Sequence, residues 1–345
     1  MLESAYGSAR HNEGGHGTAI PPMNYRQLGV NGPEVSAIGL GMWPLVGGMG
    51  RVEEADAIRT IRHALDCGIN LVDAAQSYEN SEELLGKALK GGYRERCFIA
   101  TKVSWKYSRA DVETAISASL RKLDVDYVDL YQVHGWWDHE YPIEETLETM
   151  ESVKRRGMAR YIGVCNFNAE QIDRSLAITA IQSNQILYNM LCRQREAVDI
   201  PACQARGVGI IAHTAMAHGF LSGRFKAGQK FAKDDYRSRL ERFRGRTYAK
   251  CLKVVGRLEE VANEKGISLV QLALGWILRQ DAVSCLLTGA KRPSQIDEQL
   301  RAPGTRFSAE ELERIDAILK DAPDLLAGPR PSIIRRTVSY IRRII

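Results

Sequence analysis

Eight short apolar runs recur along this chain, most of them followed by a segment with helical spacing, and that alternation restricts the fold more than any other feature. The runs are Ser36 to Leu40, Asn70 to Asp73, Cys97 to Lys102, Val128 to His134, Ala159 to Val164, Ala180 to Gln185, Gly209 to His213 and Ser284 to Gly289. After the first run, Val52 to Asp66 puts Ala55, Ile58, Ile61 and Leu65 on one helix face, and Cys67-Gly68 closes it. Similar segments run from Asp111 to Leu123, Ile143 to Arg156 and Asn168 to Leu176, and two helices, Tyr248 to Lys265 and Ser268 to Arg279, precede the last run. Strand and helix in alternation, with short loops, mean parallel strands joined by crossover helices.

Eight such strands fit a closed (β/α)8 TIM barrel better than an open sheet. The competing reading is a doubly wound sheet with a G-x-G-x-x-G phosphate loop. Its only candidate is Gly39-x-Gly41, with Pro44 at the sixth position and no good acidic ribose partner, so it is weak. Two pieces fall outside the barrel pattern. Asn24 to Val35 reads as a hairpin, with a turn at Val30-Asn31-Gly32-Pro33, able to plug the barrel floor. Gly228 to Thr247 is a long charged connection, which in a compact domain is functional or disordered. The chain therefore divides into a Gly-rich, disordered extension (1–22), the barrel with its hairpin plug and extra C-terminal helices (23–320), and a tail (321–345).

The formal charge of +5 is unevenly spread. Beyond Ala322 there are five Arg against Asp324, so the rest of the chain is close to neutral and no basic field argues for nucleic acid. In the tail, Ile334, Val338, Ile341 and Ile345 share one helical face, opposite Arg335, Arg336, Arg342 and Arg343. Such a helix lies on an anionic membrane, docks on a second subunit, or folds back on its own protein. The seven cysteines form no C-x-x-C pair and no zinc spacing, as expected of reduced thiols in a cytoplasmic protein without a metal site. No apolar run reaches transmembrane length, and the N-terminus lacks the basic start and apolar core of a signal peptide.

Three of the runs deliver polar residues at or just past their carboxyl ends, the face that carries chemistry in barrel enzymes. They are Asp73 and Tyr78, Lys102, and His134. A phenol is a weak acid, with a pKa of roughly 10. A nearby ammonium lowers that value, and a carboxylate beside the ammonium keeps it charged and in place. An imidazole next to the phenol can hold a substrate oxygen. Each residue alone has a bland reading: Asp73 a helix cap, Lys102 a solvated lysine, His134 a structural histidine. Together they are the parts of a proton-donating site for carbonyl reduction. Trp43, Trp105, Trp136 and Trp137 cluster beside these motifs and are candidates to wall an apolar substrate pocket. His218 and Cys165 lack further ligands at usable spacing, and no nucleophile elbow accompanies any Ser, His and Asp set.

The stretches IGLGMW, LVDAAQSYENSEELLG, ATKV, LDVDYVDLYQVH, GMARYIGVCNF, NQILYN, GFLSGRF and GAKRPSQIDEQL give the chain its resemblance to the aldo-keto reductase superfamily over roughly Met23 to Lys320. It looks most like the branch with a short third loop, which includes bacterial aldehyde reductases and potassium-channel beta subunits. The resemblance implies an NADP(H)-binding barrel and a catalytic set of Tyr78, Lys102, Asp73 and His134. It also implies cofactor contacts at Gly41, Met42, Trp43 and Asp73, with Asn166 and Gln185 on the nicotinamide carboxamide. Cys165 replaces a usual serine there, and His213 a usual stacking Tyr or Trp. Thr214, Ala215, Met216, Ala217 and Gly219 match a pyrophosphate-covering loop, and Arg224 a phosphate contact. Gly289, Lys291, Gln295, Glu298 and Gln299 match positions around the adenosine, where Lys291 and Arg292 could neutralise a 2′-phosphate and favour NADP.

The expected function is NADPH-dependent reduction of a small-molecule aldehyde or ketone, with the proton from Tyr78. The alternatives are a cofactor-holding regulatory or adaptor subunit with weak activity, and an NAD(P)-dependent sugar or polyol dehydrogenase. A homo-oligomer or a peripheral membrane contact is expected of the C-terminal tail.

Overall fold

The computed structural model describes residues 21–136 and 141–322. Nearly all of the expected N-terminal extension, almost all of the tail, and Trp137 lie outside the described residues.

The eight apolar runs become β3 (Ile38–Gly41), β4 (Leu71–Asp73), β5 (Phe98–Val103), β6 (Val128–Val133), β7 (Ala159–Cys165), β8 (Ser183–Leu187), β9 (Gly209–His213) and β10 (Val283–Thr288). They neighbour one another in chain order, and β10 pairs in parallel with β3 to close the barrel. Closure removes the free edges that an open sheet would expose. Around it lie α1 (Glu54–Asp66), α2 (Ser81–Ala88), α3 (Arg109–Leu123), α4 (Ile143–Arg155), α5 (Ala169–Leu176), α6 (Asp199–Ala205), α7 (Gly245–Glu264), α8 (Leu269–Leu278), α9 (Pro293–Gln299) and α10 (Ala309–Lys320). Periodicity anticipates α1, α3, α4, α5, α7 and α8 but neither the 12-residue α10 nor α2, α6 and α9, which have 8, 7 and 7 residues, about two turns each. The start of α10 carries an unused local signal, the capping box of Ser308 and Glu311.

Inside the barrel, side chains alternate along each strand, and the inward positions change character from floor to mouth. Leu71, Ala100, Leu130, Ile211, Cys285 and Leu287 form an apolar cluster with Leu28 and Val35. Two residues further along three of these strands, Asp73, Lys102 and Gln132 are also fully or nearly fully buried. Gly163 on β7 makes room for this layer, since a Cβ there would meet Ser183 Oγ at 2.7 Å and Gln132 Cγ at 3.1 Å.

The floor is plugged as expected by the antiparallel hairpin of β1 (Tyr25–Gln27) and β2 (Glu34–Ser36). The Arg26 guanidinium donates to Leu278 O and Val283 O, both at 2.7 Å, and Val30 N donates to Gly207 O at 2.8 Å. The charged connection after β9 is ordered rather than loose. Phe225, Phe231 and Phe243 pack among themselves and on Phe220, the Phe220–Phe243 pair stacking at 4.5 Å. Asp235 Oδ1 accepts from Arg237 N at 2.9 Å, and Tyr236 N donates to Gly48 O at 3.2 Å, so the connection reaches the loop after β3.

Candidate active site

Strand register brings the expected polar residues together before any side chain is considered. Gly41 pairs with Asp73, Lys102 with Gln132, and Cys165 with Gln185. Lys102 Nζ donates to Asp73 Oδ2 at 2.5 Å and to Ala74 O at 2.7 Å. The second carboxylate oxygen of Asp73 accepts from Gln185 Nε2 at 2.8 Å and Gln132 Nε2 at 3.3 Å. Asp73 is thus a buried anion with its oxygens partnered, the condition under which such a charge is tolerated.

Tyr78 follows β4 on a turn held by Tyr78 N to Ala75 O (3.0 Å) and Ser81 N to Tyr78 O (2.8 Å). Its ring lies 4.6 Å from Lys102 Nζ, and its hydroxyl is 3.4 Å from His134 Nε2. His134 Nδ1 is in turn held by Ser104 Oγ at 2.8 Å and Ser77 Oγ at 3.1 Å. Trp43 packs edge-on to Tyr78 with ring centroids 5.2 Å apart. Phenol, ammonium, carboxylate and imidazole therefore meet at one rim.

Electrostatics correct one expectation. The net effect on Tyr78 is upward: burial pushes the phenol to about 12, while the Lys102 charge pulls it down and Asp73 adds to the rise. Removing a phenolate from water outweighs the neighbouring ammonium, whose charge Asp73 partly cancels. Burial also acts against the Lys102 ammonium, but Asp73 and then Tyr78 outweigh it and hold lysine above its ordinary value. Burial, then the charges of Lys102 and His213, hold His134 well below the usual imidazole range. The resting site is a protonated phenol, a charged lysine and a neutral histidine.

The expected cofactor residues continue around the same rim. Asn166, with φ of 59°, takes Leu187 N on Oδ1 at 3.1 Å, and the same oxygen is 3.3 Å from His213 Nε2. His213 Nδ1 is 2.9 Å from Thr214 Oγ1, which fixes the imidazole plane. Burial first, then Lys102 and Arg195, lower the His213 pKa to about 3. The buried Cys165 thiol donates to Gln132 Oε1 at 3.9 Å. Met42 is buried, and its N–H donates to Asp73 O at 2.9 Å.

Thr214, Ala217, His218 and Gly219 all have left-handed backbone (φ 58°, 48°, 56° and 97°), and strain of this kind gathers at ligand-binding segments. Ala215 is buried and Met216 packs on the core beside them. Arg224 and Glu298 pair at 3.6 Å. Lys291 N donates to Gln295 Oε1 at 2.7 Å, while its ammonium reaches Gly50 O at 2.9 Å and also Met49 O. Arg292 is exposed, with Nε 3.2 Å from Ser294 Oγ.

Gln299 Nε2 donates to Gly289 O at 3.0 Å, leaving Oε1 buried without a partner, as are Thr288 Oγ1 and His218 Nδ1. Buried polar atoms normally find partners, so orphans near the ends of β9 and β10 fit a bound polar group.

Of the tryptophans, Trp43 faces Tyr78, and Trp105 is 50% exposed at the rim with φ of 68°. Trp136 lies against Phe167 and below the Arg174 guanidinium, its Nε1 donating to Tyr141 O at 3.2 Å. Sequence reasoning missed Gln132, Ser77 and Ser104. A polar residue inside the apolar strand VDLYQV was the available signal for Gln132; the serines give none. It also missed Asp235 and Arg237, whose carboxylate and guanidinium pair beside Met49 O, which Arg237 Nη2 reaches at 3.3 Å.

A closed parallel barrel thus carries a buried ion pair and a phenol together at its C-terminal rim. The chain belongs to the aldo/keto reductase family, matching it over residues 37–320. It is 35% identical over 321 residues to aldo-keto reductase YhdN of Bacillus subtilis (strain 168), covering 89% of this chain and 97% of that protein. It is 31% identical over 327 residues to a probable voltage-gated potassium channel subunit beta of Arabidopsis thaliana, covering 87% and 98%. The solved glycerol dehydrogenase AKR11B4 of Gluconobacter oxydans superposes with a TM-score of 0.78 at 29% identity, over 89% of this chain and 97% of that one. No helix among the described residues is long and apolar enough to cross a membrane.

Proposed function

We propose that this chain reduces an aldehyde or ketone with NADPH, Tyr78 giving the proton. The observation that carries the reading is the contact of Tyr78 with both Lys102 and His134 above the buried Asp73. A bound nicotinamide supplies the hydride. Tyr78 donates its hydroxyl proton to the carbonyl oxygen, and Lys102 stabilises the phenolate left behind. His134, kept neutral by burial and the Lys102 charge and oriented by Ser77 and Ser104, holds that oxygen by a hydrogen bond. Asp73 keeps Lys102 charged and fixed. Asn166 and Gln185 would hold the carboxamide and His213 the ring face, with Arg224, Lys291 and Arg292 toward the phosphates. That basic set supports NADP over NAD. Trp43 and Trp105 would wall an apolar carbonyl substrate.

Polyol oxidation is favoured by the likeness to a glycerol dehydrogenase. It runs the same site in reverse, with Tyr78 taking the proton as a base, so the two directions are separated by turnover and not by the phenol's pKa. The test is a carbonyl panel followed by NADPH absorbance, beside polyols with NADP and NAD. Tyr78→Phe is expected to lower kcat by about 100- to 10,000-fold, with cofactor affinity by fluorescence titration unchanged. Tight NADPH binding without turnover on any carbonyl would instead favour an adaptor role, and an unchanged kcat in Tyr78→Phe would remove the assignment.

A further inference from the structure

On the outer surface of the barrel, away from the rim, three donor atoms from distant parts of the chain converge. His63 and Cys67 stand one turn apart on α1, with Cys67 N donating to His63 O at 3.0 Å at the helix end. Asp297 comes from α9, 234 residues later than His63. Its Oδ1 is 2.7 Å from His63 Nε2, and Cys67 Sγ is 3.6 Å from the same nitrogen. All three donor atoms lie within 4.8 Å of one another.

A single imidazole nitrogen carries either one hydrogen or one lone pair, so it cannot satisfy a carboxylate and a thiol fully at once. One cation can. Bonds of about 2.0 to 2.3 Å to N, O and S place ligand atoms roughly 3.3 to 3.6 Å apart in a tetrahedron. The nitrogen–sulfur distance already fits, the carboxylate has to retreat from the imidazole by about half an ångström, and sulfur and carboxylate oxygen lie within 4.8 Å of each other. We propose that His63, Cys67 and Asp297 form a three-ligand site for a divalent cation of the zinc class, with solvent in the fourth position.

The donor set selects the metal. A thiolate with an imidazole and a carboxylate suits Zn2+ and excludes Mg2+ and Ca2+, which take oxygen ligands. Access is open, with the His63 and Asp297 side chains 32% and 36% exposed. Cys67 is also the one cysteine of the seven that is not buried. Spacing could not reveal this site, because the carboxylate arrives only when the barrel closes. The ion would fasten α1 to α9 across the seam where the barrel's first and last strands meet. Asp297 lies among Gln295, Glu298 and Gln299, so on the proposed function the ion would also steady the cofactor-facing helix.

The site is tested on the full-length, chelator-treated protein titrated with Co2+, followed by the near-ultraviolet thiolate-to-cobalt absorption, with Zn2+ as competitor. One ion per chain is expected, with the band abolished in Cys67→Ser. Affinity should fall in His63→Gln and Asp297→Asn by more than the roughly 10- to 100-fold that outer-shell losses cost. Zn2+ should raise the thermal midpoint of the wild type but not of Asp297→Asn. Absence of the thiolate band at saturating Co2+, or its persistence in Cys67→Ser, would overturn the proposal and leave an ordinary interhelical hydrogen bond. Carbonyl turnover is not a readout, so this result and the reductase reading fail independently. The thiolate signature also excludes cobalt held by His11 or His16.

Discussion

At the residue scale, the site depends on one buried ion pair. Lys102 and Asp73 have side chains 0% and 3% exposed, so removing one leaves the other charge without its partner in a low-dielectric interior. Lys102→Met should destabilise the fold by about 3–5 kcal/mol, and adding Asp73→Asn should restore part of that loss, measured by denaturant unfolding. Because the Lys102 pKa is raised above 10.5, its contribution to stability is fully present below that pH and is lost only as pH rises further. Tyr78 must be protonated to donate, and that form persists until pH approaches about 12. The reductase rate should therefore show no loss assignable to the phenol between pH 8 and roughly 10, where an ordinary tyrosine titrates. A fall centred on an unperturbed value would contradict the burial argument.

The histidines act in the opposite sense. Burial and neighbouring positive charges lower His134 well below its usual range, and lower His213 and His218 to about 3. Their contribution is present above the unfolded value of roughly 6.5 and is lost as pH falls below it. The thermal midpoint should decline steadily from about pH 6.5 downward, and a flat profile to pH 4.5 would sink the assignment of three neutral, partly buried imidazoles.

At the element scale, local sequence was informative where side chains repair helix ends. The capping boxes of Asn168 with Gln171, Ser268 with Gln271 and Ser308 with Glu311 mark the starts of α5, α8 and α10. Ser268→Ala should cost about 1 kcal/mol in chemical denaturation, since it frees the Gln271 N–H at the start of a helix buried on nearly every side. The short helices α6 and α9 were less legible, because seven residues give too little periodicity to separate from a loop. The connection after β9 was misleading for another reason. Its charges dominate the sequence, but Phe231 and Phe243, spaced for neither strand nor helix, hold it in place.

At the scale of the whole molecule, the barrel is an apolar-floored cup with a polar mouth, and the hairpin seals its lower end. Leu28 is fully buried among inward-facing residues from several strands. Leu28→Ala should cost about 2–5 kcal/mol in unfolding free energy, although the residue lies outside the repeating unit. A loss below 1 kcal/mol would mean the plug is only loosely seated. Gly209 shows how close the seal is, since a Cβ there would meet Gly29 N at 2.5 Å.

The sequence by itself determined the eight strands, most of the longer helices, the plug and the Asp73, Tyr78, Lys102 and His134 set. Those rest on period, turn chemistry and motif, all of which act over a few residues. Only the tertiary structure decided that Gln132 and Gln185, 59 and 112 residues from Asp73, complete its shell, and that two serines orient His134. It likewise decided that burial, rather than the ammonium, governs the phenol. The physical reason is that desolvation and hydrogen-bond geometry are properties of neighbours in space, and barrel closure brings into contact groups whose order along the chain carries no trace of that meeting.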